Sequence, residues 1–114
     1  MKLLIAIIQP EELPDIKEEL LKRKIYKFTV SSAMGQGKEI PFKEVYRGIS
    51  YEISLMKKVR LEIALNDDFI DSAIEAISSV AKKEGDKGRG KIFILPIEEC
   101  IRIRTGEKGE KAIG

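Results

Sequence analysis

Lys58-Val59-Arg60-Leu61-Glu62-Ile63-Ala64-Leu65 is followed at once by Asn66-Asp67-Asp68, and then by Ile70, Ala73, Ile74, Ile77, Val80 and Ala81. The first run alternates. Val59, Leu61, Ile63 and Leu65 point one way, and Lys58, Arg60, Glu62 and Ala64 the other, the period of a strand with two unlike faces. The second set recurs at helical spacing and predicts a helix that Asn66 or Asp67 caps, with Asp68 in its first turn. Ile92 to Leu95 is a further strand, with Pro96 after it. Strand, helix and strand in that order make a βαβ unit.

The same order stands upstream. Leu3 to Ile8 is a continuous apolar run ended by Pro10, as expected for a strand central in a sheet. Pro14 lies in the opening turn of a helix whose start carries Glu11, Glu12 and Asp15, where negative charge complements the dipole. Leu13, Ile16, Leu20 and Leu21 form its apolar stripe. Tyr26 to Met34 is the next strand, and Cys100 to Arg104 a final short one before a polar tail at about 105–114. The fold class is therefore α+β: a ferredoxin-like double βαβ with an antiparallel sheet, two helices on one face and a long loop between the halves, in a single domain spanning 1–114.

Composition bounds the chemistry. The 114 residues, 43% apolar, suit one globular domain with a modest core, and no apolar run approaches the length of a membrane span. Met1 to Ile8 leads into Gln9-Pro10 and acidic residues, so it reads as a strand and not as a signal peptide. Basic and acidic residues balance, 21 against 19, which argues against general nucleic-acid binding. One cysteine, Cys100, cannot close an intramolecular disulfide, and a reducing cytoplasm is the expected location. With no histidine and Cys100 in an apolar strand, neither a nucleophilic dyad nor a metal cluster is in sight, so no enzyme is expected.

Residues 35–56 lack sustained periodicity and are too long for an ordinary hairpin connection. Phe42, Tyr46 and Tyr51 lie there beside Lys43, Arg47 and Glu44, the residue types that recognise partners. An extended hairpin whose aromatics pack on the domain is the plain alternative.

Glu84-Gly85-Asp86-Lys87-Gly88-Arg89-Gly90-Lys91-Ile92-Phe93 joins the second helix to its strand. Glycines allow backbone N–H groups to approach an anion, and Lys91 adds a point charge. Gly85 to Lys91 fits G-x-x-x-x-G-K, but Ile92 stands where a metal-binding hydroxyl is needed and a strand follows, so this is no P-loop. Arg102 and Arg104, two residues apart on a strand, would present two guanidinium groups on one face, suited to phosphate oxygens. Each feature alone has a structural explanation, a solvated loop or a protected sheet edge. Together they point to a polyphosphate site, provided that tertiary or quaternary structure unites them.

From end to end the chain resembles the PII nitrogen-regulatory signal proteins. The matching blocks are Ala6-Ile7-Ile8-x-Pro10, Thr29-Val30, Gly35-x-Gly37, Tyr46-Arg47-Gly48-x-x-Tyr51, Lys58-Val59 with Glu62, Gly88-x-Gly90-Lys91-Ile92-Phe93 and Ile101-Arg102-Ile103-Arg104-Thr105-Gly106-Glu107. The resemblance implies a homotrimer, which also answers the need to cover the helix-free sheet face. It implies ATP or ADP in clefts between neighbours, 2-oxoglutarate beside Mg-ATP, and a long loop, about 36–56, that docks on an ammonium transporter or a nitrogen-metabolism enzyme or regulator. A membrane would be met only through a transporter partner.

By position, Gly88, Gly90, Lys91, Arg102 and Arg104 would hold phosphates, with Arg89 as an added cation. Gly35, Gly37 and Lys38 would approach from the loop base, and Ile7, Thr29, Glu62 and Ala64 would surround adenine and ribose. Arg47 matches the arginine that plugs an ammonium channel, and Tyr51 the tyrosine uridylylated in some bacteria.

Several positions depart from the family pattern. Glu84 replaces the usual threonine, Arg89 the usual aspartate, and Asp86 and Lys87 also differ. Glu39 stands for the glutamine that helps to coordinate Mg; it keeps a ligand oxygen, but its charge disfavours a neighbouring 2-oxoglutarate. Ile40-Pro41 removes a backbone donor, whereas Lys58, the usual partner of the acid's distal carboxylate, is kept. Ile49-Ser50 before Tyr51 also differs from the usual small and acidic pair. These changes leave open a divergent sensor of another small anion or nucleotide, such as AMP, a cyclic nucleotide or bicarbonate. A small hydrolase using the P-loop-like stretch is a third reading.

Overall fold

In the computed structural model, residues 1–36, 42–46, 49–53, 55–83 and 90–114 are described. The elements run β1 (Lys2–Ile8), α1 (Leu13–Lys22), β2 (Thr29–Gln36), β3 (Phe42–Tyr46), β4 (Ile49–Ile53), β5 (Leu55–Leu65), α2 (Ile70–Lys83), β6 (Lys91–Pro96) and α3 (Glu110–Ile113). Four strands form one antiparallel sheet in the order β2-β5-β1-β6. Each βαβ crossover skips one strand, and the other half's strand fills the gap, which is the ferredoxin-like arrangement.

Side-chain alternation sorts the sheet's faces. On β1, Leu4, Ala6 and Ile8 are buried and pair across with Ile63, Leu61 and Val59 of β5. Ile16 and Leu20 of α1 and Ala73, Ala76, Ile77 and Val80 of α2 join the same core cluster, so both helices cover one face. Leu4, Ile16, Leu20, Leu61 and Ile63 are the largest fully buried side chains, each contributing about 1.5–3 kcal/mol. Leu21, expected on the α1 stripe, instead faces water at 60% exposure, and on α2 Ala76 takes the inward place expected of Ala81.

Three expectations need correction. The strand expected from Tyr26 begins only at Thr29. Lys24 turns the chain with φ 63°, Ile25 dives into the core, and a surface cavity lined by Tyr26, Lys27, Ala64, Leu65 and Ile113 stands where further ladder would run. Neither Asn66 nor Asp67 caps α2 directly, because a 3₁₀ turn over Asp67–Phe69 intervenes and Asn66 makes no capping hydrogen bond. The long loop between the halves is as expected in place, and within 35–56 β2 continues to Gln36, β5 starts at Leu55, and β3 and β4 pair as a separate ribbon. Its register sets Phe42 against Ile53, Glu44 against Tyr51 and Tyr46 against Ile49. Finally, Cys100–Arg104 is not a strand. Only an isolated bridge, Ile101 with Lys108, remains, followed by a turn.

That last difference has a visible cause. Arg102 N–H donates to the Glu107 carbonyl, Gly106 N–H donates back to the Arg102 carbonyl, and Gly109 N–H donates to Cys100. Gly106 and Gly109 adopt φ 75° and 77°, which lets the chain reverse twice within a few residues. The segment therefore satisfies its hydrogen bonds within itself and not on the sheet.

Candidate functional site

On the helix-free face the register lays side chains out in rows. Thr29, Glu62, Ile5 and Phe93 form one row across β2, β5, β1 and β6; Ser31, Arg60, Ile7 and Lys91 form the next. Ala64, Leu3 and Leu95 form a third. The structure thus sets Thr29 directly against Glu62 and Ile7 beside Lys91. Ala64 is further off: it pairs with Leu3, four residues along β1 from Ile7, or about 13 Å.

Arg60 Nε donates to Glu62 Oε1 at 2.7 Å, an ion pair between half-exposed groups. Its own contribution to stability is small, but it fixes the Glu62 carboxylate in place. The sequence put Arg60 on the same face as Lys58 and Glu62 without giving it a role, although alternate spacing with two site residues was the signal for one.

Positive charge gathers where β1 ends and β6 begins. Lys58 is buried at 7% exposure and lies across from Ala33, with its stem against Gly35; a Cβ at Gly35 would meet Lys58 Cγ at 3.2 Å. Gly35 itself pairs with Met56. Gln9, just past β1, has a side-chain Nε2 that is buried without an acceptor. Gly90 runs so close to β1 that a Cβ there would lie 2.9 Å from the Ile7 carbonyl oxygen, a contact with backbone that no rotamer change relieves. Gly90→Ala is accordingly expected to destabilise the fold by about 1–3 kcal/mol and to shift the start of β6. Chemical denaturation checks it, and unchanged stability would show that residue 90 has room to spare.

The arginine pair is not at this end. Arg102 Nη2 donates to the Lys111 and Ala112 carbonyls at 3.2 and 3.4 Å, and Nη1 to Glu107 Oε1 at 3.3 Å. Asn66 Nδ2, just beyond β5, donates to the Glu110 carbonyl at 3.2 Å. Arg102 therefore belongs to the Lys2–Leu65–Pro96 end of the sheet, whereas Lys91 pairs with Ile7 at the other. Five residues of β6, about 17 Å, separate the two ends. Arg104 is exposed in the turn, next to a fully exposed Ile103, and shares no strand face with Arg102. Within one chain, Lys91 and Arg102 are not brought together.

Gly37, Lys38, Glu39, Arg47, Gly88 and Arg89 lie outside the described residues, as do Glu84 to Lys87; Phe42, Tyr46 and Tyr51 are placed on β3 and β4 by their backbone. Among the described residues, no group of three or more His, Cys, Asp or Glu side chains could hold a metal ion, and no helix is long and apolar enough to cross a membrane.

The double βαβ sheet, its helices on one face and a ribbon inserted between β2 and β5 define a class, the ferredoxin-like α+β proteins. Within it, the chain belongs to the nitrogen regulatory protein P-II family, whose model matches residues 1–107. It is 47% identical over 114 residues to nitrogen regulatory protein GlnK1 of Methanosarcina mazei, covering 99% of this chain and 97% of the relative. It is 42% identical over 113 residues to nitrogen regulatory protein P-II 2 of Methanothermobacter thermautotrophicus, covering 99% and 97%. Nitrogen regulatory protein P-II of Azospirillum brasilense is 44% identical over 113 residues, covering 99% and 100%. The chain is thus a PII-type nitrogen regulator, not an enzyme.

Proposed function

We propose that the chain, as a single domain, binds ATP or ADP in clefts between the subunits of a cytoplasmic homotrimer. Through residues 36–56 it would then control a nitrogen-metabolism protein or transporter. The observation that carries this reading is the division of charge: Lys58, Arg60 and Lys91 stand at one end of the sheet and Arg102 at the other. A polyphosphate that needs both ends must take them from different chains. The helix-free face supplies the contact that would bring them together. Leu3, Ile5, Ile7, Phe93 and Leu95 share it, and Phe93 and Leu95 remain 49% and 43% exposed, an apolar patch of the kind that marks subunit contacts.

In this reading Gly90 lets the chain run close to β1, Lys91 and the neighbour's Arg102 and Arg104 meet the phosphates, and Gly88 and Arg89 complete the loop. Glu62, held by Arg60, offers a fixed acceptor to the adenine or ribose beside Ile7, Thr29 and Ala64. Gly35, Gly37 and Lys38 approach from the base of the arm. Glu39 would supply the Mg ligand, and Lys58 the cation for a 2-oxoglutarate carboxylate. Phe42, Tyr46, Arg47 and Tyr51 would meet the partner.

Isothermal calorimetry tests it. Saturable binding of ATP or ADP at micromolar concentrations is the expected outcome, and no heat up to millimolar nucleotide would reject it. The exchange of charge at Glu39, Glu84 and Arg89 favours a second reading, a sensor of AMP, a cyclic nucleotide or bicarbonate. A thermal-shift screen separates the two, because the preferred ligand raises the melting temperature most.

A further inference from the structure

We infer that residues 107–113 form an intramolecular latch that holds Arg102 out of the anion site, so that a bound polyphosphate displaces the tail. The inference rests on Arg102 being a phosphate ligand, as proposed above. In this structure the guanidinium is already engaged: both terminal nitrogens donate, one to the Glu107 carboxylate and the other to the Lys111 and Ala112 carbonyls. Those carbonyls close α3, where a cation satisfies otherwise unpaired acceptors and complements the helix dipole. A phosphate cannot use the same N–H groups in the same geometry.

The latch is weakly built. α3 has four residues, Glu110–Ile113, far below the length at which a helix holds by itself. Its side-chain tie to the strand domain is Asn66 Nδ2 on the Glu110 carbonyl. The other half of that amide, Oδ1, is buried without a donor, so the contact leaves a polar group unsatisfied even when closed. Gly109 N–H on Cys100 anchors the near end at 2.9 Å. A segment held by a few hydrogen bonds, one shared arginine and the half-buried Ala112 and Ile113 opens at lower cost than the core, and a ligand that captures the arginine removes a main partner.

Linkage makes the device reciprocal. Whatever loosens the tail must tighten polyphosphate binding, by the same factor as the ligand loosens the tail. Asn66→Ala removes the tie to Glu110 without altering charge or touching Arg102, and Gly109→Ala strains the φ of 77° at the tail's hinge. Each variant is expected to bind ATP, and inorganic tripolyphosphate as a base-free probe, about fivefold tighter than the parent. Hydrogen exchange of the Ala112 and Ile113 amides, which donate to Gly109, is expected to speed up when ATP binds the unmodified protein. Unchanged affinity in both variants, with equal tail protection in free and ATP-bound protein, overturns the latch and leaves nucleotide binding standing. If neither the parent nor the variants bind either probe, the nucleotide reading itself fails and takes the latch with it.

Discussion

Alanine in place of Arg102 is expected to weaken ATP binding about 100-fold, with the fold intact. The guanidinium lies outside the core cluster, so its loss should leave the thermal unfolding of the sheet domain nearly unchanged. Truncating one member of a desolvated charged pair costs about 2–5 kcal/mol, and about 1.4 kcal/mol is tenfold in affinity. The loss should outweigh the gain from freeing the tail, since the latch accounts for only a few-fold. Calorimetry on the parent and on Arg102→Ala measures it directly. Equal affinities would mean that Arg102 serves only the tail, through Lys111 and Ala112, and takes no part in ligand binding.

If the chain assembles as the proposed homotrimer, Phe93→Glu is expected to dissociate it and to abolish ATP binding with it. Phe93 sits across from Ile5 on the sheet face opposite both helices, where a carboxylate in an apolar contact would be desolvated without a partner. Because that face is not part of the core, the monomer should remain folded, with an unchanged far-ultraviolet spectrum. Sedimentation at micromolar concentration checks both halves. A parent protein that runs as a monomer, or a variant that stays trimeric and still binds ATP, would contradict the assembly.

The parts of this protein that periodicity controls were legible in the sequence. The alternation at Lys58–Leu65 separates the core side, Leu61 and Ile63, from the side that carries Arg60 and Glu62, and the structure keeps that division. Helix α2 lies where its apolar spacing put it, because burial of that stripe dominates its energetics. The differences come from hydrogen bonds that side-chain periodicity does not encode, most of them between residues fewer than a dozen apart. Ile101-Arg102-Ile103-Arg104 alternates like a strand, yet glycines at 106 and 109 turn the tail back and its carbonyls capture Arg102. Asn66 looks like a helix cap, but its amide goes to Glu110 instead. The β3–β4 ribbon has little alternation to reveal it, since it pairs only with itself.

Of the candidate site, the sequence supplied Ile7, Thr29, Glu62 and Ala64 only by resemblance, as residues about the base, and Lys91 as a phosphate ligand; the register sets Thr29 against Glu62 and Ile7 against Lys91, and Ala64 apart. It could not show that Lys91 and Arg102 sit at opposite ends of one sheet, because strand order and register depend on the whole chain. That separation turns a local motif into a claim about two subunits.

Subunit mixing tests the claim most directly. Lys91→Ala and Arg102→Ala chains, each expected to bind ATP only weakly as a pure assembly, are unfolded together and refolded as mixed assemblies. In a mixed trimer one interface can pair the intact Lys91 of one chain with the intact Arg102 of its neighbour, and ATP binding is expected to return at that interface. If a single chain supplied both groups, no chain in the mixture would carry an intact site, and binding would stay as weak as in the pure variants at every mixing ratio.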